Sequence, residues 1–348
     1  MAETTIDLLA SVRAEAERDY GALVPPIAVH SPTPKSLVAV WAMLRATMIE
    51  PGAVDRTTKE AVATAVSHAN SCWYNEELHL TTLESLNEQR AASAGGELGS
   101  LADLRIRKAT AWARTAGMRG YTETRRPFDD RQVPELVGTV VLTHYLDRIA
   151  MTLATGADAT RLDQVAARAL HSPGPAADPP LTADLPGDLA WAAGEPIIAN
   201  AFARAAIVID AGADRSVPVS VRALTQARLA DWQGETPDDD QHWLAVALAG
   251  LPDDDRPAGR LALLTAFAPR QVTALALDMF REDGTDERAL VELISWASFT
   301  AARRVGEWLA PSVRPAVTES SGRVLEFRGA GDAPRRSAGR TRQRRAGV

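Results

Sequence analysis

The sequence predicts an all-α protein, and three observations support this prediction. Apolar residues recur three and four positions apart over most of the chain, which is the spacing of the buried face of a helix. Strand-like alternation is hard to find, and its nearest example, VPVSVRAL at 217–224, is better interpreted as a helix that begins after Pro218. Proline and glycine collect in one central stretch, 171–188, which holds five prolines and two glycines.

The first half of the chain contains a series of predicted helices. The N-terminal segment carries acids from its third residue and is interpreted as an amphipathic helix, followed by helices at 36–49, 59–86, 101–116 and 132–153. Asp55 lies where its carboxylate can bind the unpaired N–H groups at the start of the second of these stretches. We expect a turn at residues 69–71 to break the helical register within that stretch.

The second half shows the same kind of periodicity after the proline-rich stretch. Helices are predicted at 189–210, 222–231, 241–248, 258–267, 271–281 and 287–309. From about residue 311 the periodicity is lost, and glycine, serine and arginine dominate. Such a segment buries too little apolar surface to offset its ordering entropy, so we predict a disordered tail at 312–348.

Charge is distributed unevenly along the chain. The net charge is −7, but residues 330–348 contain six arginines and one acid, which leaves −12 for the rest of the protein. An acidic body argues against nucleic acid as a partner, because a nucleic-acid-binding fold carries a basic surface. The arginine-rich tail could contact an acidic surface, although a solvated tail is the favoured interpretation.

Several classes of protein are excluded by composition. The sequence lacks a run of 18 apolar residues without charge, so we expect no membrane partner, and its N-terminus lacks the features of a secretory signal. A single cysteine, Cys72, excludes an internal disulfide framework and a thiolate-rich metal site. His68 and His79 could share a helix face, but tight metal-ligand spacing is missing. We therefore expect a cytoplasmic protein with no metal and no cofactor.

The two halves of the chain resemble each other weakly. Residues 136–154 align with 292–310, which places Arg148 opposite Arg304, and residues 59–72 align with 221–234, which places Cys72 opposite Gly234. At 348 residues the chain also suits two domains of about 150 residues each. We predict two tandem helical units, at 1–165 and 189–311, joined by a proline-rich linker at 166–188. Chance similarity between amphipathic helices is the alternative.

The candidate chemistry is concentrated in residues 60–79. Glu60, Cys72 and His79 are spaced by 12 and 7 residues, and a helix junction between them could bring the three side chains together. A thiol, an imidazole and a carboxylate in contact are what thiol activation requires. Trp73 and Tyr74 are candidates for the wall of a substrate pocket. The spacing alone equally allows Cys72 and the two aromatic residues to be ordinary core residues.

The sequence around these residues resembles the alkylhydroperoxidase D-like, or carboxymuconolactone decarboxylase-like, superfamily. The family motif ends in E-x11-C-x2-C-x3-H, for which Glu60, Cys72 and His79 occupy the matching positions. Flanking matches extend the resemblance, at Arg56, Ala63, Ala65, Val66, Ser67 and Asn70. The segments 144–148 and 299–309 both resemble the closing helix of the family. The resemblance therefore predicts two tandem alkylhydroperoxidase D-like repeats that pack together.

The resemblance implies an all-helical fold that assembles as trimers or hexamers, and a cysteine pair that reduces a hydroperoxide. By position, Glu60 would be the relay carboxylate, His79 the base and Cys72 the first cysteine of the pair. The second cysteine position is Asn75, which cannot form a disulfide with Cys72. If Cys72 is redox active, it must act alone and be recycled by an external thiol through a sulfenic acid.

The second repeat lacks the motif, since Arg222, Gly234 and Gln241 occupy the positions of the glutamate, cysteine and histidine. We expect this half to be a structural partner that covers the surface a second subunit would otherwise cover. Whether the protein also forms a homo-oligomer is left open.

Three functions are compatible with the sequence. The first is an alkylhydroperoxidase-like oxidoreductase that acts on an organic hydroperoxide through Cys72, His79 and Glu60. The second is a cofactor-free lyase or isomerase that acts on a small acid, in which Glu60 and His79 move a proton and Asn75 holds a substrate oxygen. The third is a non-catalytic helical scaffold. The first is our leading hypothesis.

Overall fold

The structure is a computed structural model. It describes residues 5–93, 100–122, 126–154, 161–174, 183–238, 242–281 and 286–309. The predicted disordered tail at 312–348 lies outside these residues, as do residues 175–182 of the proline-rich stretch. Within the described parts of the chain the secondary structure is helical and contains no strand, so the predicted all-α class is confirmed.

The α-helices of the first half are α1 (Thr5–Asp19), α2 (Pro25–Ala28), α3 (Pro34–Leu44), α4 (Arg56–Asn70), α5 (Trp73–Ser93), α6 (Ser100–Ala113), α7 (Arg119–Thr122), α8 (Val133–Leu153) and α9 (Leu162–Ala169). Those of the second half are α10 (Pro196–Ser216), α11 (Val219–Asp231), α12 (His242–Leu248), α13 (Arg256–Phe267), α14 (Ala274–Arg281) and α15 (Glu287–Leu309). A π-helical segment, Arg45–Ile49, continues α3, and short 3₁₀ turns occupy Gly187–Ala192, Asp253–Asp255 and Pro269–Gln271.

Most predicted helices are present within a few residues of their expected limits, and α15 has the limits that its periodicity predicted. The predicted break in the long stretch 59–86 is also confirmed. α4 ends at Asn70, Ser71 adopts a left-handed conformation with φ 57°, and α5 begins at Trp73. This junction is the feature of the fold that matters most for the candidate site.

The predicted continuous helix at 189–210 is wrong. The chain forms a 3₁₀ turn at Gly187–Ala192 and then starts the new helix α10 at Pro196. Proline has no N–H group to donate and suits the first turn of a helix, where such a donor would be unpaired. The Glu195 side chain accepts from the N–H of Ile197 at this start. The prediction failed because apolar residues are spaced as in a helix on both sides of Pro196, so the spacing alone does not show the break.

The two halves of the chain share one hydrophobic core. Residues Met1–Pro311 form one compact unit, in which α8 of the first half packs along α15 of the second. Tyr145 and Phe299 meet edge to face across this contact, with ring centroids 5.5 Å apart. Gly306 of α15 is so close to Val141 and Trp191 that a larger side chain would clash. The assignment of the halves to two repeats stays a prediction.

Among the helices of the described residues, only α10 is long and apolar enough to cross a membrane by length and composition alone. Half of its most apolar 18-residue window is buried inside the protein. A core helix of a soluble protein passes the same test, so this feature is weak evidence for a membrane span.

A buried histidine predicts how stability depends on pH. His30 is fully buried, accepts at Nε2 from the Tyr145 hydroxyl at 2.6 Å, and donates from Nδ1 to the Ile27 carbonyl at 3.1 Å. Burial lowers the pKa of His30 to about 4. The unfolded chain, with an ordinary histidine pKa of about 6.5, therefore binds the proton more strongly.

The contribution of His30 to stability is thus complete above about pH 6.5 and is lost as the pH falls toward about 4. We expect the free energy of unfolding to fall by up to about 3 kcal/mol over this window. Urea unfolding at a series of pH values measures the slope. The His30→Gln variant should show a shallower slope, whereas an unchanged slope would contradict this assignment.

Candidate active site

The candidate site is built on α4, whose start is held by a side-chain cap. Asp55 accepts from the N–H of Thr58 at 2.9 Å, as the sequence predicted for a helix N-cap. From this start, α4 carries Glu60 into the interior, where its side chain is buried. Glu60 accepts from Arg56 Nε at 2.5 Å on one oxygen and contacts His79 Nδ1 at 2.7 Å on the other.

The electrostatics of this pair favour an ionised carboxylate. Burial opposes ionisation of Glu60, but the Arg56 guanidinium and His79 outweigh burial and lower the pKa of the carboxyl below its ordinary value. A carboxylate can only accept hydrogen bonds, so the N–H group at Nδ1 of His79 donates a hydrogen bond to Glu60 and keeps its proton. In the neutral ring Nε2 is then the basic nitrogen, as in a histidine oriented by a carboxylate for proton transfer.

His79 borders a very small cavity. The cavity has a volume of about 10 Å³, close to the space that one water needs, and Asn75 also lines it. The remaining walls are mainly apolar and are formed by Tyr20, Val24, Pro26, Leu44, Met48, Leu78, Leu142, Thr143 and Leu146. In this conformation the cavity is too small for an organic ligand.

Cys72 lies at the junction of α4 and α5. The left-handed Ser71 turns the chain so that the Cys72 N–H donates to the Ser67 carbonyl at 2.9 Å. The thiol then lies at the start of α5, where the backbone N–H groups of Asn75 and Tyr74 point toward it. Such donors stabilise a thiolate. The residue is only 2% exposed, however, so the thiol is shielded from solvent.

A buried carboxyl group, Asp147 of α8, organises the junction from the other side. It accepts from Ser67 Oγ at 2.9 Å, from Asn75 Nδ2 at 2.8 Å and from Asn70 Nδ2 at 2.7 Å. Burial raises the pKa of Asp147, against the effect of these three donors. Burial also raises the pKa of the Cys72 thiol, and the neighbouring Asp147 carboxylate raises it further. The thiol is therefore protonated in this conformation.

The structure brings together some of the predicted site residues and separates others. Glu60 and His79 are in direct contact, whereas the Cys72 thiol faces Asp147. Asn75 donates to Asp147 with its amide nitrogen and borders the cavity at His79. Trp73 is 59% exposed, Tyr74 is buried, and neither lines that cavity. Their substrate-binding role stays a prediction.

Asp147 is a residue of the site that the sequence patterns do not identify. It belongs to the segment 144–148 that resembles the closing helix of the family, but the sequence patterns assign it no role in the site. The signal that could have identified it is the pair Ser67 and Asn70 on α4, two polar residues on a helix face that must be buried. Such buried donors require an acceptor.

The second half provides a different environment at the corresponding positions. Gly234, aligned with Cys72, has φ 106°, and a side chain there would clash with the carbonyl oxygen of Gly117. Arg222, aligned with Glu60, forms an ion pair with Asp214, and Gln241 lies outside the described residues. The positive φ and the close backbone neighbour therefore require glycine at 234, the position that the predicted repeat aligns with Cys72.

The contact between Asp147 and the thiol predicts the effect of removing the carboxylate. In Asp147→Asn the negative charge beside Cys72 disappears, so the thiol pKa should fall. For each unit by which the thiol pKa falls, the thiolate fraction at a fixed pH rises about tenfold, as long as most of the thiol is still protonated. Ultraviolet absorbance of the thiolate against pH measures this change, and Cys72 is the only cysteine in the sequence. An unchanged or raised thiol pKa would contradict the assignment.

Comparison with known proteins identifies the family of the chain. The Carboxymuconolactone decarboxylase family matches residues 34–90, which include Glu60, Cys72 and His79. A protein named alkyl hydroperoxide reductase Rv2159c, from Mycobacterium tuberculosis, is 33% identical over 329 residues, covering 90% of this chain and 94% of the relative. No solved structure gives a significant match. The chain therefore belongs to the alkylhydroperoxidase D-like, or carboxymuconolactone decarboxylase-like, superfamily.

Proposed function

We propose that the protein is a peroxide-reducing oxidoreductase in which Cys72 is the redox thiol and the Glu60–His79 pair transfers the proton. The observation that carries the proposal is the 2.7 Å contact between Glu60 of α4 and His79 Nδ1 of α5, the two helices whose junction holds Cys72. The name of the mycobacterial relative, an alkyl hydroperoxide reductase, supports an organic hydroperoxide as the substrate.

The chemistry follows from one thiol and one base. The sulfur of Cys72 attacks the distal oxygen of the hydroperoxide, so that an S–O bond forms and the O–O bond breaks. The thiol proton passes to Nε2 of His79 and then to the leaving alkoxide, which departs as an alcohol, while Glu60 stabilises the imidazolium. The small cavity beside His79 offers space for one water to carry this proton.

Recycling requires an external reductant, because Asn75 replaces the second cysteine of the family motif. A thiol condenses with the Cys72 sulfenic acid, which releases water and forms a mixed disulfide. A second thiol attacks this disulfide and regenerates Cys72. We propose a small cytoplasmic thiol as the reductant, consistent with a cytoplasmic antioxidant enzyme. Whether the chain works as a homo-oligomer can be measured by light scattering.

An organic peroxide needs more space than the cavity at His79 provides in this conformation, so the proposal requires that its walls open. The π-helical segment Arg45–Ile49 contributes Met48 to the wall, and Leu44 precedes it. π-Helical turns are frequent at functional sites, and they are less regular than α-helix. We propose that movement of this segment, together with Tyr20 on the same wall, admits the peroxide.

A second candidate is a cofactor-free lyase or isomerase that uses Glu60 and His79 alone. It is favoured by the state of Cys72, whose thiol is buried and protonated while the carboxylate–imidazole pair is complete. General acid–base catalysis at carbon needs only such a pair. The substrate would be a small acid, with Asn75 holding one of its oxygens. A non-catalytic scaffold is the remaining alternative.

The experiment that tests the proposal follows the single thiol. The wild-type protein is treated with cumene hydroperoxide in the presence of dimedone, and the sulfenic acid adduct is measured by mass spectrometry. We expect one adduct per chain at Cys72, and sustained peroxide consumption when dithiothreitol is supplied. In Cys72→Ser both should be lost, since a hydroxyl cannot form the sulfenic acid.

The three candidate functions give different results with two variants. Peroxide reduction predicts that Cys72→Ser and His79→Gln both lose activity. Proton transfer at carbon predicts that only His79→Gln loses the lyase or isomerase activity. A scaffold predicts that neither variant differs from the wild type. If Cys72 is never oxidised by the peroxide while the protein remains folded, peroxide reduction is excluded.

A further inference from the structure

A second cavity, much larger than the one at His79, lies between the two halves of the chain. Its volume is about 320 Å³, within the range of small-ligand sites. It is bounded by the C-terminal end of α4, by α8, and by the segments that follow α11 and α13. Cys72, Glu60 and His79 are not among its lining residues. The predicted functions therefore do not account for it.

A buried arginine forms part of this cavity. Arg148 is 6% exposed, donates from Nε to the Ala266 carbonyl at 3.1 Å and from Nη1 to the His144 carbonyl at 2.9 Å. Its guanidinium lies 5.8 Å from the centre of the Trp232 ring. Among the described residues, neither an ion pair nor a hydrogen bond of Nη2 is found for Arg148. A buried cation without an anionic partner is costly.

A buried histidine provides a second donor in the same cavity. His144 is 4% exposed, and its Nδ1 accepts from the Asn70 amide at 3.1 Å, so the proton of the neutral ring is on Nε2. Nε2 is buried and lacks a hydrogen-bond partner within the part of the chain that the structure describes. Beside it stands Gly117, where a Cβ atom would lie 2.9 Å from Cε1 and 3.2 Å from Nε2 of His144.

The remaining walls indicate what kind of molecule would suit these donors. Trp232 and Phe267 form an aromatic corner, with ring planes at 88° and centroids 5.7 Å apart. Arg114 and Arg270 lie at the exposed rim, and Glu235 is the one acidic residue in the lining. The site thus has a net positive charge and combines buried donors with an apolar wall.

We propose that this cavity binds a small organic carboxylate with a flat apolar body. Its carboxylate accepts from the Arg148 guanidinium and from His144 Nε2, and its apolar part packs against Trp232 and Phe267. Nη2 of Arg148, the guanidinium nitrogen for which the described part of the chain provides no partner, can give this carboxylate a charge-assisted hydrogen bond, and the apolar wall of Trp232 and Phe267 favours an organic anion over inorganic phosphate. The site is separate from the proposed peroxide chemistry and does not rest on it.

Isothermal titration of the full-length protein with benzoate tests the proposal. We expect saturable binding at one site per chain, and affinity reduced at least about tenfold in Arg148→Gln, because hydrogen bonds to charged groups are lost. Gly117→Ala should weaken binding similarly while keeping all charges, since its Cβ fills the space beside His144. This second variant decides the question if Arg148→Gln does not fold.

A matched control is Arg304→Gln. Arg304 is aligned with Arg148 in the second half, but it forms an ion pair with Glu307 at 2.5 Å. Its replacement should leave benzoate affinity unchanged. Failure to detect saturable binding of benzoate at millimolar concentration would overturn the proposal. Equal affinity in the wild type and Gly117→Ala, or binding of inorganic phosphate in preference to benzoate, would also overturn it.

Discussion

His79→Gln is expected to reduce the rate of peroxide turnover by about 100-fold to 10,000-fold, the usual contribution of a general base. Glutamine can still donate a hydrogen bond to Glu60, so the buried carboxylate keeps a partner and the protein should fold. The side chain lacks a basic nitrogen, however, and cannot carry the proton between the thiol and the leaving alkoxide. The measurement is kcat/KM for cumene hydroperoxide with dithiothreitol as reductant.

The chain provides a matched control for this substitution. His68 lies on the same helix as Glu60, but its side chain is largely exposed and contacts Glu76 at 2.8 Å on the protein surface. His68→Gln therefore makes the same chemical change outside the site and should leave kcat/KM within about twofold of the wild type. Similar rates for the two variants would show that His79 is not the base.

Glu135→Gln is expected to destabilise the protein by about 3–5 kcal/mol, the cost of leaving a buried charge without its partner. Lys59 and Glu135 are both buried, and Nζ of Lys59 lies 2.6 Å from Oε2 of Glu135. The same carboxylate accepts from the N–H of Ala53 at 2.6 Å and of Val54 at 3.3 Å. In Glu135→Gln, an NH2 group replaces one of the two accepting oxygens. Its N–H groups then face the Lys59 ammonium or a backbone N–H group, and neither can accept a hydrogen bond.

Chemical denaturation of the wild type and the variant measures this loss. Glu307→Gln is the matched control, since Glu307 forms its ion pair with Arg304 at a half-exposed position and should lose at most about 1 kcal/mol. The double variant Lys59→Met/Glu135→Leu should recover much of the lost stability, because it removes both charges from the interior. A loss below about 1 kcal/mol in Glu135→Gln would contradict the role assigned to this pair.

The sequence predicted the helical class and the location of the candidate site because both depend on local patterns. Apolar spacing gives the limits of α15, and the residues 69–71 interrupt a long periodic stretch where Ser71 turns the chain. The motif around Glu60 and His79 predicted a carboxylate and an imidazole in contact, and they lie 2.7 Å apart. Local patterns failed at Pro196, where similar periodicity continues on both sides of a break.

What the sequence alone determined about this protein is therefore its helical class, its family and the proximity of Glu60 and His79. The tertiary structure decided which group faces the thiol, because Asp147 is 75 positions from Cys72 in the sequence and reaches it only through the packing of α8 against α4. The tertiary structure also places Arg148, His144 and Trp232 around one cavity. Contacts between distant helices depend on how their faces pack, and periodicity within each helix does not specify this.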